Sequence, residues 1–280
     1  SGSVIKHGID PSVSPKDSSR ISFKKGFFPE DFLQTEDKID LITAISVFYD
    51  LPDPRSFVSK IKNILSDNGI FHVELSYLPT MINANSFDTV CHEHLEYYSI
   101  SSLKNLFSGF DLHIVDFGFN DINGGSIWVD VSHIQNSTED NRVNQYLLNE
   151  SLQGFTDGSA LTNLQHRIDL LKEQTICLLQ NIKNNNLVVH GLGASTKGNT
   201  LLQFYEIDAD LLPFIEEVNL AKEDKFTPGS KIPIKLEEFT DAPDYYFVLP
   251  WHFREFFLEK YKGSGVGIIF PLPTLEIIYP

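Results

Sequence analysis

Apolar positions along this chain fall into two rhythms, one of strands and one of helices. The stretch KIDLITAISVFYDLPDP (38–54) carries aliphatic residues from Ile39 to about Ser46, which reads as a buried strand followed by a loop. In DPRSFVSKIKNILSDNG (53–69), Phe57, Ile61 and Ile64 or Leu65 recur at helical spacing, and Asp67-Asn68-Gly69 closes the run. GIFHVELSY (69–77) is the next strand. A strand–helix–strand unit of this length predicts parallel pairing with a right-handed crossover. Upstream, Val4 to Ile9 reads as a short strand leading to Asp10-Pro11, and RISFKKGFF (20–28) as a short strand or ordered loop. Downstream, SISSLKNLFSGF (99–110) is a helix with candidate serine caps. DLHIVDFGFN (111–120) and GGSIWVDVSH (124–133) follow as two strands joined by a turn, an antiparallel addition to a parallel sheet.

The rhythm then becomes helical over 139–150 and 159–184. In the second segment Leu161, Leu164, Ile168, Leu171, Thr175, Leu178 and Ile182 fit a 3.6-residue period, and Asn184-Asn185-Asn186 ends it. LVVHGLGASTKGNTLLQFYEI (187–207) is a strand, a glycine-rich turn and a helix. Further strands are expected at 214–218, 232–236, 245–249 and 266–270, with a helix from about Trp251 to Tyr261. The pattern predicts an α/β protein in three regions: a Rossmann-like domain over 1–136, a helical bridge over 137–186, and a second Rossmann-like α/β domain over 187–280. The chain enters a strand almost at once, so upstream sequence is expected.

Composition narrows the classes. With 41% hydrophobic residues in 280, a packed core is expected rather than disorder. The net charge of -16 argues against general nucleic-acid binding. No basic amphipathic stretch suits an anionic membrane, and no apolar run is long enough to span one. A soluble cytoplasmic protein is the expectation. The two cysteines, Cys91 and Cys177, make neither a disulfide framework nor a zinc-finger spacing, and Cys177 reads as core filler.

Four places carry candidate chemistry. Asp10 closes a strand, where α/β domains hold cofactor ribose hydroxyls, although Asp-Pro also starts turns. In HGLGASTKG (190–198), Gly191 and Gly193 permit a tight turn and close backbone approach, and Lys197 adds a charge suited to phosphate. The spacing is not that of a Walker A loop. INGGS (122–126) is a turn whose Asn123 and Ser126 become useful donors if it faces a cleft. FDTVCHEHLEYY (87–98) places Glu93 between His92 and His94. Three readings stand side by side: a metal site built on His-x-His, a hydrogen-bonded polar turn, and a general base oriented by a carboxylate. Tyr77, Tyr97 and Tyr98 are candidate donors to a developing oxyanion, or aromatics at the core edge.

Together these segments resemble the sugar-nucleotide C-methyltransferases. The resemblance rests on GIDPS (8–12), ITAISVFYDLPDP (42–54), FDTVCHEHLEYYS (87–99), NGGS (123–126), GLGASTKGNTLL (191–202), PGSKIPI (228–234), LPWHF (249–253) and PLP (271–273). Members use S-adenosylmethionine to methylate a carbon of a keto-sugar carried on a nucleoside diphosphate, typically dTDP. The resemblance implies a truncated Rossmann-like methyltransferase domain, without the family's N-terminal zinc module and first Rossmann strand. It implies that Asp10 holds the adenosine ribose at the end of the second sheet strand, and that Ser46 and Phe48 line the cofactor pocket. It makes His94 the base, with Glu93 and Tyr77 assisting. It assigns Cys91, Asn123, Gly191, Gly193 and Lys197 to the nucleotide-sugar, and it needs no metal. Many relatives carry tyrosine where this chain has Cys91.

Two other classes share these features. An NAD-dependent sugar-nucleotide oxidoreductase or epimerase would also use Asp10 and a glycine-rich turn, but no Tyr-x-x-x-Lys pair lies near the His-Glu-His segment. A nucleotide-sugar binding protein without catalysis would keep Lys197 and dispense with His94.

Overall fold

A computed structural model describes residues 6–12, 21–31, 38–237 and 241–280. Val4 and Ile5, at the start of the first expected strand, lie outside them. In chain order the strands are β1 (His7–Asp10), β2 (Ser22–Lys25), β3 (Ile39–Ile45), β4 (Leu65–Ser76), β5 (Leu112–Asn120), β6 (Ser126–His133), β7 (Val189–Leu192), β8 (Ile215–Glu217), β9 (Ile234–Leu236), β10 (Tyr245–Val248), β11 (Gly267–Phe270) and β12 (Glu276–Ile278). The helices are α1 (Pro54–Ile64), α2 (Leu78–Asn83), α3 (Ile100–Ser108), α4 (Arg142–Leu152), α5 (Ser159–Asn184), α6 (Thr196–Tyr205) and α7 (Arg254–Lys260). The protein is α/β and divides into two compact units. One comprises Ser1–Leu75, Ile100–Gly118 and Trp128–Val143; the other comprises Ser76–Ser99, Phe119–Ile127 and Asn144–Pro280. This division runs differently from the three regions drawn from sequence. The His-Glu-His segment and the NGGS turn go with the carboxyl-terminal part of the chain.

The first unit is built on a four-stranded sheet of order β3-β4-β6-β5. β3 and β4 pair in parallel across α1, as the strand–helix–strand pattern requires. Helix α1 starts at Asp53, whose carboxylate accepts the Ser56 amide, with Pro54 in the first turn. It ends at Ile64, earlier than the apolar run indicated. Asp67-Asn68-Gly69 lies inside β4, where the register shifts between Ile39 and Leu41 on the partner strand. β3 is an edge strand, not a buried one: Ile42 and Ala44 are buried, while Leu41 is 60% and Ile45 57% exposed. The core is aromatic, with the Phe48 ring 5.9 Å from Phe57 and 6.1 Å from Phe71. β1 pairs in parallel with β2 in a separate two-stranded sheet, so Asp10 does not end a strand of the main sheet.

The second unit carries a six-stranded sheet of order β12-β11-β10-β7-β8-β9. Numbered from β7, this is the order 3-2-1-4-5-6 of doubly wound nucleotide-binding folds, with every strand parallel except the last. β12 has no counterpart in the sequence reading, because three residues are too few for an alternating pattern to register. Helix α5 matches its predicted span, and its buried stripe is Ala160, Leu164, Ile168, Leu171, Thr175, Leu179 and Ile182. Leu161 is 55% exposed and Leu179 replaces Leu178 in the core, a phase error of one residue at each end. Cys177 falls on the outer face and is exposed, not core. The helix expected over 251–261 is a 3₁₀ turn at Trp251–Phe253 followed by the shorter α7.

Candidate active site

In the second unit, three distant segments are tied together by backbone bonds. The Tyr77 amide donates to the Gly125 carbonyl at 3.3 Å and the Leu78 amide to the Tyr98 carbonyl at 2.8 Å. The chain from α2 onward is held by Arg167 on α5, which donates to Asn85 Oδ1 and to the Ile82 carbonyl, both at 2.7 Å. Asn85 in turn donates to the Pro273 carbonyl at 2.9 Å. This fixes the segment carrying Phe87 to His94.

His94 is half-buried on a turn closed by its own amide to the Cys91 carbonyl at 3.2 Å. Its Nδ1 lies 2.9 Å from the Thr89 carbonyl oxygen. A carbonyl can only accept, so Nδ1 carries the proton and the neutral ring has its basic lone pair on Nε2. Glu93 and His92 point outward, with side chains 57% and 83% exposed and 3.9 Å apart. The segment is a turn, not the extended strand on which His-x-His would align both rings. Among the described residues no three His, Cys, Asp or Glu side chains converge as a metal site.

Tyr77 is buried, and its hydroxyl donates to Glu150 Oε1 at 2.7 Å. Burial, followed by this bond and the carboxylate charge, raises the phenol far above its ordinary range. The one hydroxyl proton is therefore committed to Glu150. Tyr97 similarly donates to the His94 carbonyl at 3.2 Å.

A second cluster lies at the carboxyl ends of β7 and β10, where the strand order reverses and open α/β sheets bind ligands. Gly193 adopts φ +79°, and a Cβ there would stand 2.8 Å from Pro250 Cγ, so glycine lets the two strand ends close up. Gly191 lies within β7 instead, and the space of its missing side chain belongs to Ile215 and Leu212. Ser195 caps α6 by accepting the Gly198 amide at 3.0 Å. Lys197, in the first turn, is half-buried and donates to the Asn123 carbonyl at 3.2 Å. Asn123, Gly124 and Gly125 take consecutive positive φ angles of 57°, 89° and 123°, which bends the NGGS turn back to this lysine. Ser126 spends its hydroxyl inside the turn, on the Ile122 carbonyl at 2.9 Å.

Sequence reasoning missed three residues here. Asp88 is wholly buried, and its Oδ2 accepts the indole N–H of Trp251 at 2.8 Å. Burial pushes the carboxyl up to about 6, against the pull of the Trp251 bond, the Lys197 charge and the amides of Asp88 and Thr89. Burial likewise lowers Lys197, opposed by the charges of Asp88 and Cys91. His252 drops to about 4 through burial and then repulsion from Lys197, so it is neutral at pH 7. The motifs FDT and LPWHF held these residues, but only the fold shows that they meet. Glu217, at the end of β8, occupies the place where a dinucleotide fold presents a carboxylate to ribose. It is already saturated by the amides of Ala194, Val218 and Asn219 and by Lys222.

The three residues expected to hold S-adenosylmethionine all lie in the first unit, and they fit it unequally. Asp10 is exposed at the carboxyl end of a parallel strand, with Oδ1 accepting the Ser12 amide at 2.7 Å, an arrangement compatible with ribose. Ser46 turns the chain after β3 at φ 53°, its amide bonded to the Glu74 carbonyl at 2.9 Å. Phe48 is completely buried among Phe57, Phe71 and Phe107, so its side chain offers a cofactor no surface.

Residues 121–273 match the model of the C-methyltransferase C-terminal domain, and residues 4–116 match a methyltransferase domain. The C-methyltransferase NovU of Streptomyces niveus is 30% identical over 244 residues, which is 85% of this chain and 58% of that protein. The chain thus spans little more than half the length of this curated relative. Among solved structures, a methyltransferase of Haloferax volcanii in complex with the Trm112 activator aligns with TM-score 0.39 and 18% identity, over 46% of this chain and 72% of that one. An S-adenosylmethionine-dependent methyltransferase of Anabaena variabilis aligns with TM-score 0.36 and 14% identity, over 46% and 68%. Among the described residues no helix is long and apolar enough to cross a membrane.

Proposed function

The chain belongs to the S-adenosylmethionine-dependent C-methyltransferase family, and from that premise we propose that it methylates the carbon next to the ketone of a nucleoside-diphosphate keto-deoxysugar, with dTDP the favoured carrier. The cofactor, held by Asp10 and the turn at Ser46, supplies an electrophilic methyl group on a sulfonium sulfur. His94 Nε2 takes the proton from the carbon adjacent to the ketone, and the electron pair left behind spreads onto the carbonyl oxygen as an enolate. That carbon is then the nucleophile. The imidazolium formed at His94 is stabilised by its Nδ1–H bond to the Thr89 carbonyl.

The tautomer of His94 carries this reading, because it presents a base without any metal. We assign Glu93, exposed beside it, to proton exchange with solvent, and Cys91 with Asn123 to the rim of the sugar site. Tyr77 acts by positioning: its bond to Glu150 holds the strand end from which α2 departs. Lys197 and Gly193, at the strand-order reversal, receive the diphosphate. The saturated Glu217 weighs against a dinucleotide in this domain and so against the NAD-dependent reading.

The test is solvent exchange. In deuterium oxide the protein incorporates deuterium at the carbon next to the ketone of a dTDP-4-keto-deoxysugar, and His94→Gln slows this by about 10²–10⁴-fold. Exchange and methylation that survive in His94→Gln refute the base assignment.

A further inference from the structure

We propose that Asp88 is a positioning residue for the anion site: from a fully buried place it holds the Trp251 indole in the crevice wall and supplies the counter-charge that keeps Lys197 an ammonium. The proposal rests on the reading of Lys197 as the diphosphate-binding group. A carboxylate kept only for packing would have both oxygens bonded, since an unmet buried acceptor is destabilising. Among the described residues Asp88 Oδ1 makes no hydrogen bond of good geometry, the amides of Asp88 and Thr89 acting on the carboxylate without closing one, while Oδ2 is spent on Trp251. One residue on from that tryptophan, His252 Nδ1 is also buried and has no partner among the described residues. Lys197 spends one of its three N–H groups, on the Asn123 carbonyl. Unspent capacity on an acid, a neutral imidazole and a cation therefore collects at the point where the strand order reverses.

The lysine explains why an acid is needed. Burial drives Lys197 toward its neutral form, and the Asp88 carboxylate is the largest opposing influence, ahead of Cys91. The two make no direct ion pair, so the ammonium stays able to turn to a ligand. A nearer carboxylate would compete with phosphate; none at all would leave burial less opposed and bring the alkaline loss of the lysine charge to lower pH. Among the described residues the titratable groups whose charges reach Lys197 are Asp88, Cys91 and His252, and Tyr205 also faces Asp88. His252 is neutral throughout the alkaline range.

Trp251 is its own reporter, because Trp128 is the only other tryptophan in the chain. In a Trp128→Phe, Cys91→Ser background, dTDP is titrated from about pH 7.5 to about pH 10, where its diphosphate is fully ionised and lysine begins to deprotonate, and inorganic pyrophosphate is titrated beside it with parent and variant compared at each pH. Trp251 emission should change saturably with dTDP, and Lys197→Met should weaken binding at least about tenfold. Asp88→Asn keeps an acceptor for the indole and removes the charge. Its binding should fall off about one pH unit earlier than in the parent. Adding Lys197→Arg to Asp88→Asn should restore alkaline binding, because a guanidinium stays charged without help. A merely structural Asp88 would show neither the shift nor the rescue.

An alkaline limit in Asp88→Asn that coincides with the parent overturns the proposal while leaving the nucleotide-sugar reading intact. Lys197→Arg alone, with Asp88 in place, should lose the alkaline limit; its persistence overturns the proposal even if Asp88→Asn does not fold. If neither dTDP nor pyrophosphate binds the parent protein, the nucleotide-sugar reading fails and this proposal with it.

Discussion

Tyr77→Phe separates a positioning phenol from a catalytic one. The substitution removes one oxygen and keeps the ring, which packs 5.1 Å from Phe119. What is lost is the 2.7 Å bond to Glu150, a carboxylate only 2% exposed. A hydrogen bond to a buried charged acceptor contributes about 1.5–3 kcal/mol, and the carboxylate oxygen left behind cannot reach water. We expect a loss of about 2 kcal/mol, which for units of this size lowers Tm by about 4–8 °C. The assay is thermal and urea unfolding of Tyr77→Phe, Glu150→Gln and the double variant. The double variant should lose clearly less than the sum of the singles, because both remove the same bond. Turnover below the melting range should change by no more than about threefold, since the phenol proton is not offered to substrate. The reasoning is refuted if Tyr77→Phe melts with the parent protein while kcat drops by about 10²-fold or more, the loss expected from removing an oxyanion donor.

Two further outcomes can be checked. Gly125→Ala places a Cβ 2.2 Å from Thr80 Cγ2 at φ +123°, so it should destabilise the NGGS turn by about 2 kcal/mol or more. Thr80→Ser, which removes that methyl, should recover part of the loss in calorimetry, and absence of any recovery would show the strain to be purely backbone. Tyr77, Tyr98, Tyr246 and Tyr261 are held above the ordinary phenol range, chiefly by burial. The unfolded chain gives up these protons first, at about pH 10, so stability present below that pH is lost as pH rises above it. Urea midpoints measured from about pH 8 to about pH 11 should fall only at the alkaline end; a flat profile contradicts the burial argument.

Strands and helices with long periodic signals were legible from the chain. Helix α5 could be placed because its buried stripe repeats through seven positions. β12 and the true end of α1 could not, since three residues carry no period and Asp67-Asn68-Gly69 suits a strand bulge as well as a helix stop. Phe48 is expected beside a cofactor because the family resemblance places the loop after Ser46 in the cofactor pocket. Its neighbours in space are Phe57, Phe71 and Phe107.

Local chemistry was likewise written in the sequence: a histidine pair around a glutamate, a lysine after a glycine-rich turn, a double-glycine turn. Each depends on residues within a few positions, where residue type and spacing determine what is possible. The tertiary structure alone decided which groups meet. It bonded Asp88 to Trp251 across 163 positions and Tyr77 to Glu150 across 73, and it spent the Tyr77 proton that the sequence left free. It also chose the His94 tautomer, through the Thr89 carbonyl on the far side of the turn. Burial is the physical reason. The charge state and hydrogen-bond capacity of Asp88, Lys197 and His252 follow from how much water the fold removes from around them, and no pattern of neighbours along the chain encodes that.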